Sequence, residues 1–391
     1  MSADTGEKRK ILHIIHGFGT GGVETWLLSA VKYLHVHPEL NMQFDFLITG
    51  GLPGIFDDEI RKYGSNIYYN KYSLTSFASF KNKFIQILAK NKYLAVHNHQ
   101  DFISGWHYLL GGKHLPRVRI AHLHNPYNFV RNYVVNLPRW LSFRVGRKLM
   151  SRKATAITGT SDTVMDEYGY DKRPFVNKRV PPAYCGFDTE KFKYDDSAKA
   201  TVCNEMGWDV SVRIALFIGR IGLQSYDTAA NQKNPAFAFE VAKELVNKDH
   251  NWRFLFVGYK GQTGTMMEKE IQQSALAEAI RFLNIRKDIP RLMSACDVLI
   301  FPSLWEGLGM VAVEGQCNGI NVIMSKGVPQ EAIVCKELVT TMDLTSATDW
   351  VNTIVSLHTN QGDRRKYAEV VRNSPFSIEN SIKRLISLYE G

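Results

Sequence analysis

Two carboxylates, Glu306 and Glu314, sit at an E-x7-E spacing around Gly307-Leu308-Gly309-Met310-Val311. Glycines placed directly before a helix leave its first amide N–H groups free, and such an end holds an anion such as a diphosphate. A carboxylate on each side would repel the phosphate unless each one grips hydroxyls. A nucleotide sugar offers that combination, a ribose on one side of its diphosphate and a hexose on the other. Taken alone, a capping Glu and a solvated helical Glu explain the same pair. Arg220 closes the apolar run Ile214–Ile218, and Lys233 precedes Asn234-Pro235. Two cations at one strand end and the next helix start can reach a common crevice and neutralise a diphosphate and its growing leaving-group charge.

Three further clusters bear on chemistry. Gly17-Phe18-Gly19-Thr20-Gly21-Gly22 satisfies GxGxxG between a strand and a helix. A dinucleotide fold would add an acidic residue at the end of the second strand. That strand instead ends Leu47-Ile48-Thr49-Gly50, with Asp45 too early, which disfavours a nicotinamide and leaves either phosphate approach or a plain tight turn. His97, His99, His122 and His124 form two HxH pairs at strand ends. Histidines on two strands suggest zinc, but no nearby Cys or HExxH spacing supports it. Hydrogen bonding to a sugar or phosphate by one or two of them is the better reading. Finally, Arg139 to Met150 interleaves cations with Trp140, Phe143 and Leu149 at helical spacing, as either a lipid-facing or a packing helix.

These residues are carried by alternating elements. Strands are expected at 11–15, 44–48, 67–69, 95–97, 119–123 and 156–159, with helices at 23–31, 55–63 and 77–91 between them. The second half repeats the pattern, with strands at 214–218, 254–257, 280–283, 298–301 and 321–324. Its helices are expected at 235–247, 266–277, 289–295 and 310–316, and a last helix at 378–389. Short continuous apolar runs separated by amphipathic helices describe parallel sheets covered on both faces. Two consecutive doubly wound α/β units follow, joined near Val180-Pro181-Pro182-Ala183-Tyr184-Cys185-Gly186.

The 391 residues are 45% hydrophobic and 22% charged, a globular composition of two-domain length that excludes disordered and coiled-coil classes. No apolar run reaches the ~20 residues of a spanning helix. The N-terminal apolar stretch is too short for a secretory signal. The five cysteines lack metal-ligand or CxxC spacing, as expected of reduced cytoplasmic thiols. The net charge of +10 is uneven: residues 1–190 hold 25 Lys+Arg against 15 Asp+Glu, and residues 191–391 hold 23 of each. Between Asp101 and Asp162 there are ten Lys or Arg and no acidic residue. Such a segment attracts polyanions, and residues 113–153 are expected to meet an anionic membrane surface rather than nucleic acid, for which no recognition module is evident.

Together these motifs resemble the retaining glycosyltransferases of family 4, with the GT-B fold, of the kind that assemble polysaccharides and glycolipids. The resemblance runs through Gly21-Gly22-Val23-Glu24, Cys185-Gly186-Phe187-Asp188, Gly219-Arg220, Lys233-Asn234-Pro235 and Phe256-Val257-Gly258. It continues through Asp297-Val298, Pro302-Ser303, the Glu306/Glu314 pair and the Phe376-Ser377-Ile378 helix ending at Tyr389. It implies two Rossmann-like domains facing across a cleft: residues 1–185 for the acceptor, 186–374 for the nucleotide sugar, and 375–391 as a helix crossing back to the first domain.

By position, the resemblance implies that Arg220 and Lys233 contact the diphosphate, that Glu306 lies near the donor sugar and that Glu314 holds the ribose. Gly21 and Gly22 match the N-terminal glycines near the donor phosphates, and His124 the histidine near the reacting sugar. Asn284 and Ile285 fall in the stretch whose backbone meets the base; Asn284 stands where the family usually has Gly. The Arg220-to-Lys233 interval is longer than usual. The implied reaction transfers a hexose-type sugar from a nucleotide sugar, UDP by family frequency, to a saccharide or lipid-linked acceptor. It retains configuration by front-face attack and needs neither metal nor other cofactor. The implied location is cytoplasmic and peripheral to the membrane. The rival readings are another GT-B enzyme (a nucleotide-sugar epimerase or a phosphorylase) and a polyanion-binding protein.

Overall fold

The computed structural model describes residues 8–19, 21–73, 75–127, 130–131, 134–222, 232–357 and 362–390. The chain divides into two compact units, Met1–Phe187 with Ile378–Gly391, and Asp188–Ser377. The divisions fall two and three residues beyond those read from the sequence.

The first unit is built on β1 (Arg9–Ile15), β2 (Met42–Ile48), β3 (Ile67–Tyr69), β4 (Tyr93–Asn98), β5 (Val118–Leu123) and β6 (Ala156–Gly159), all parallel, in the order β3-β2-β1-β4-β5-β6. Around it lie α1 (Gly22–Val36), α2 (Asp57–Lys62), α3 (Phe77–Lys90), α4 (Ile103–Gly111), α5 (Leu137–Lys153) and α6 (Asp162–Glu167). The order reverses between β1 and β4, and at such a switch point the strand ends part to leave a crevice.

The second unit starts with α7 (Ala198–Met206) and repeats the topology: β7 (Arg213–Ile218), β8 (Trp252–Val257), β9 (Ile280–Leu283), β10 (Val298–Phe301), β11 (Asn321–Ser325) and β12 (Val339–Met342), ordered β12-β11-β10-β7-β8-β9. Its other helices are α8 (Pro235–Lys248), α9 (Gln262–Gln272), α10 (Ile289–Ala295), α11 (Met310–Asn318), α12 (Ala347–Ser356) and α13 (Lys366–Arg372). The switch point here lies between β7 and β10. Strands such as Ile214–Phe217 and Val298–Phe301 are buried at every position, which is why they read as unbroken apolar runs.

Each sheet buries its own core. Phe80, Phe84, Tyr108, Phe143 and Met150 pack together in the first unit; Trp252, Phe254, Phe256 and Trp350 do so in the second. The last helix, α14 (Ile378–Glu390), belongs to the first unit. Its Ser381 accepts a 2.9 Å hydrogen bond from the Trp26 indole of α1, and its buried Ile382, Leu385 and Leu388 form one apolar stripe.

α5 corrects one expectation. Phe143, Gly146 and Met150 are buried at i, i+3 and i+7, and Phe143 meets Phe102 at 5.2 Å between ring centroids. A Cβ on Gly105 would collide with the Gly146 carbonyl, so α4 and α5 touch backbone to backbone. Phe143 is therefore a core residue, not a lipid-facing one. Trp140, Leu141 and Val145 form the exposed apolar face instead. Arg147 also turns inward, 5.4 Å from the Phe143 ring centroid and 5.0 Å from that of Phe175, and donates to the Tyr168 carbonyl.

Candidate functional site

In the second unit the chemistry gathers at the switch point. Gly219 and Arg220 follow β7, and Lys233 lies just before α8, whose cap Asn234 takes a left-handed φ of 50° and accepts from the Phe237 N–H. That cap and Pro235 fix where the helix starts and so aim Lys233 back toward the strand ends. Across the switch point, the loop after β10 carries Glu306, only 8% exposed. Lys233 Nζ lies 2.6 Å from Glu306 Oε1 and 4.7 Å from the Phe301 ring centroid. Gln232 Nε2 donates to the Trp305 carbonyl at 2.9 Å and to Glu306 Oε2 at 3.3 Å, and Glu306 N–H donates to the Gly327 carbonyl. The carboxylate is thus held from both sides.

Small residues let these parts approach. A Cβ on Gly219 would lie 3.0 Å from Lys233 Cγ, and one on Gly258 (φ 142°) would collide with the Gly219 carbonyl. Gly309, the cap of α11, has φ 97°, and a Cβ there would sit 2.8 Å from Val328. Only glycine accepts that conformation freely, so the loop delivers the free amides of Met310 and Val311 at the helix start. Leu308 is buried beneath the loop, while Ser303 Oγ is buried without a hydrogen-bond partner.

Glu314 lies one turn into α11, partly buried. Burial pushes its carboxyl up to about 7, with the Lys233 charge pulling the other way. Arg220, Asn284 and Ile285 are exposed, the last two just beyond β9. The second unit thus brings Lys233, Glu306, Gly307, Leu308, Gly309, Met310, Val311 and Glu314 to one sheet edge, with Arg220 beside Gly219. The residues 223–231, much of the long Arg220-to-Lys233 interval, lie outside the described residues.

The first unit holds a different cluster at its own switch point. His13 on β1 pairs in register with His97 on β4, and His99 just past β4, His122 on β5 and His124 just past β5 follow on the same face. Their rings stack in a ladder, His97 on His122 at 5.2 Å and His122 on His124 at 4.0 Å between centroids. Burial pushes every one of these imidazoles below its usual range, His13 and His124 to about 3, so all five are neutral.

His13, His97 and His99, and likewise His99, His122 and His124, carry ring nitrogens close enough together to hold a metal ion. His124 N–H donates to Asp101 Oδ1, and Asn125 Nδ2 to Oδ2. Burial raises the Asp101 carboxyl to about 6 against those bonds. Gly21 and Gly22 open α1, but a Cβ on Gly21 would collide with the Glu24 carboxylate, which therefore folds over that helix end.

Sequence reasoning missed His13 and Tyr389 as members of the ladder. The signal available was a lone imidazole inside the apolar run Ile11–Ile15, and pairing register, which no single strand displays, was needed to use it.

The sequence pattern of the family described as Glycosyl transferases group 1 matches residues 212–374, the part of the second unit that runs from β7 through α13. The protein named glycosyltransferase EpsF of Bacillus subtilis (strain 168) is 25% identical over 389 residues, 98% of this chain and 96% of its own length. The UDP-Gal:alpha-D-GlcNAc-diphosphoundecaprenol alpha-1,3-galactosyltransferase of Escherichia coli is 25% identical over 335 residues, 82% of this chain and 80% of its own. Among solved structures, Anabaena HepE in complex with UDP superposes with a TM-score of 0.75 at 17% identity, over 97% of this chain and 99% of that one. The same protein has been solved with UDP-glucose. With two parallel six-stranded sheets in the same order, and with these relatives, the chain is a glycosyltransferase of the GT-B fold.

Proposed function

We propose that this protein is a retaining, metal-independent hexosyltransferase that takes its sugar from a nucleotide sugar, a UDP-sugar in the first instance. The observation that carries the reading is the Lys233–Glu306 pair at 2.6 Å beside the glycine-capped start of α11, with Glu314 one turn further on. The diphosphate lies at the free amides of Met310 and Val311, Glu314 accepts from the ribose hydroxyls, and Glu306 accepts from hydroxyls of the hexose. Lys233 has three N–H donors. One holds Glu306 in place and the others serve a phosphate oxygen, with Arg220 adding its charge. The base rests along the backbone at Asn284 and Ile285.

The acceptor hydroxyl attacks the anomeric carbon on the face from which the diphosphate departs. As the new C–O bond forms and the old one breaks, the departing phosphate oxygen takes the hydroxyl proton. The negative charge that grows on it meets Lys233, Arg220 and the helix end, which is stabilisation aimed at the transition state. No nucleophilic carboxylate is required. The first unit takes the acceptor, with His124 facing a sugar hydroxyl.

α5 supports a reading of the acceptor class. Its exposed face carries Leu137, Trp140, Leu141 and Val145 among Arg139, Arg144 and Lys148. An apolar stripe edged with cations suits an anionic bilayer, at about 1 kcal/mol per cation near the surface. No helix among the described residues is long and apolar enough to cross a membrane. A peripheral enzyme acting on a lipid-linked saccharide fits both features, and the named substrate of the Escherichia coli relative has that chemistry.

The test is a thermal-shift panel of UDP-glucose, UDP-galactose, UDP-N-acetylglucosamine and GDP-mannose, followed by transfer assays with the best binder. A ligand at a hundredfold its Kd stabilises the native state by about 2.7 kcal/mol. At least one UDP-sugar is expected to raise the melting temperature, and chelator is expected to leave transfer unchanged. Stabilisation by none of the four, or an inverted anomeric product, refutes the reading.

A further inference from the structure

The five imidazoles of the first unit do more than stack. His124 Nε2 lies 2.8 Å from His99 Nδ1, and His99 Nε2 lies 2.9 Å from His13 Nδ1. His13 Nε2 reaches the Tyr389 hydroxyl at 3.5 Å, the longest link. The hydroxyl lies 2.8 Å from His97 Nδ1, and His97 Nε2 lies 3.0 Å from His122 Nδ1. Eight of the ten ring nitrogens are used in this single file. The two left over, His124 Nδ1 and His122 Nε2, are its ends, and both are buried without a hydrogen-bond partner.

Proton counting then restricts the chain severely. Each neutral imidazole carries one N–H, and each link needs one proton between its two atoms. Five neutral rings and one phenol make all five links in only two ways: every ring is Nε2–H, or every ring is Nδ1–H. Any mixture of tautomers leaves at least one link with two protons or with none, which is costly in a buried network. A charged ring is disfavoured by the burial of all five. The two arrangements differ only at the ends: one puts the terminal N–H at His122 Nε2 and the bare nitrogen at His124 Nδ1, and the other does the reverse.

We propose that His13, His99 and Tyr389 are positioning residues that hold His124 in the one tautomer shared by all five rings, so that its Nδ1 meets a hydroxyl of the bound saccharide in a fixed hydrogen-bonding sense. Tyr389 is the joint between the two halves of the chain, and it comes from α14. The C-terminal helix thereby sets the hydrogen-bonding sense of a residue just past the end of β5. Reversing the sense moves one proton across each of the five links. One proton must enter at one end of the file, His124 Nδ1 or His122 Nε2, and one must leave at the other, with no net change in charge. The functional half of the proposal rests on His124 facing a sugar; the tautomer lock stands on the geometry alone.

The experiment is long-range ¹H–¹⁵N correlation of the full chain with ¹⁵N-labelled histidine at pH 7.5, with ring signals assigned through single His→Gln variants. All five ladder rings are expected in one and the same neutral pattern, either all Nε2–H or all Nδ1–H. Tyr389→Phe is expected to lose that single pattern at His13, His99 and His124, and to raise the KM for the saccharide several-fold more than it lowers kcat. Mixed or charged ring patterns in the unchanged protein, or a stoichiometric metal ion on the rings, would overturn the lock without needing any variant to fold. An altered tautomer with unaltered kinetics in Tyr389→Phe would overturn the positioning role. Failure of the transferase reading itself would show separately, as absence of transfer by a protein whose ring pattern is intact.

Discussion

At the residue scale the second unit depends on a buried charge pair. Removing one partner of such a pair strands the other in a site that water does not reach, at a cost on the order of 3 kcal/mol. Lys233→Met is therefore expected to lower the unfolding free energy measured in urea by that order, because Glu306 is only 8% exposed. The double variant Lys233→Met with Glu306→Gln should recover part of the loss while remaining inactive. Full activity in either variant would remove the pair from the chemistry.

Glu314 gives a prediction with a definite sign. Its carboxyl is pushed up to about 7, above the ordinary value of 4.5, so between those values the folded state holds a proton that the unfolded chain has lost. Stability from this group is complete below pH 4.5 and is lost as pH rises toward 7. Glu314→Gln is expected to raise the melting temperature at pH 8 and to change it little at pH 4.5. It should also weaken UDP binding, since an amide oxygen is a poorer acceptor for ribose hydroxyls than a carboxylate. A melting temperature lowered equally at both pH values would contradict the assigned shift.

At the element scale, α5 shows what a sequence discloses and what it withholds. Its cations and Trp140 were legible from composition and spacing. Which face is buried was not, because Gly105 and Gly146 make the contact with α4, and a glycine contact leaves no apolar signature. Arg144→Ser with Lys148→Ser is expected to release the protein from anionic vesicles without lowering its melting temperature. Arg147→Ser should destabilise it instead, because that guanidinium packs on Phe143 and Phe175. Undiminished sedimentation of the double variant with anionic vesicles would make α5 a packing helix only.

The strands of both sheets were readable because buried parallel strands are continuous apolar runs. α4, α7, α12 and β12 were not, being short or mixed in polarity. The Lys233, Glu306 and Glu314 set was visible as a motif, since three short segments each carry their own glycine or proline signal. The histidine ladder was only half visible, because His13 and Tyr389 lie 376 residues apart and meet through sheet register and helix docking.

At the scale of the whole molecule, the two units differ in how acid affects them. The first buries six imidazoles, the five of the ladder and His107, all held neutral by burial. Their stability contribution is complete above the ordinary histidine value of 6.5 and is lost as pH falls toward 3, since unfolding lets each ring take a proton. At up to about 1.4 kcal/mol per pH unit and ring, the effect outweighs the opposite contribution of Asp101. Acidification from pH 7 to 5 is expected to unfold the first unit before the second, with an uptake of several protons. Simultaneous loss of both units in amide exchange would contradict this.

The central claim is that the donor diphosphate sits at the start of α11. Hydrogen–deuterium exchange of the full chain with and without saturating UDP addresses it most directly. The account predicts slowed exchange at the amides of Gly309 to Ala312 and around Asn284 and Ile285. Saturating UDP that leaves those amides unprotected, or that protects only the Gly21-Gly22 end of α1, would contradict it.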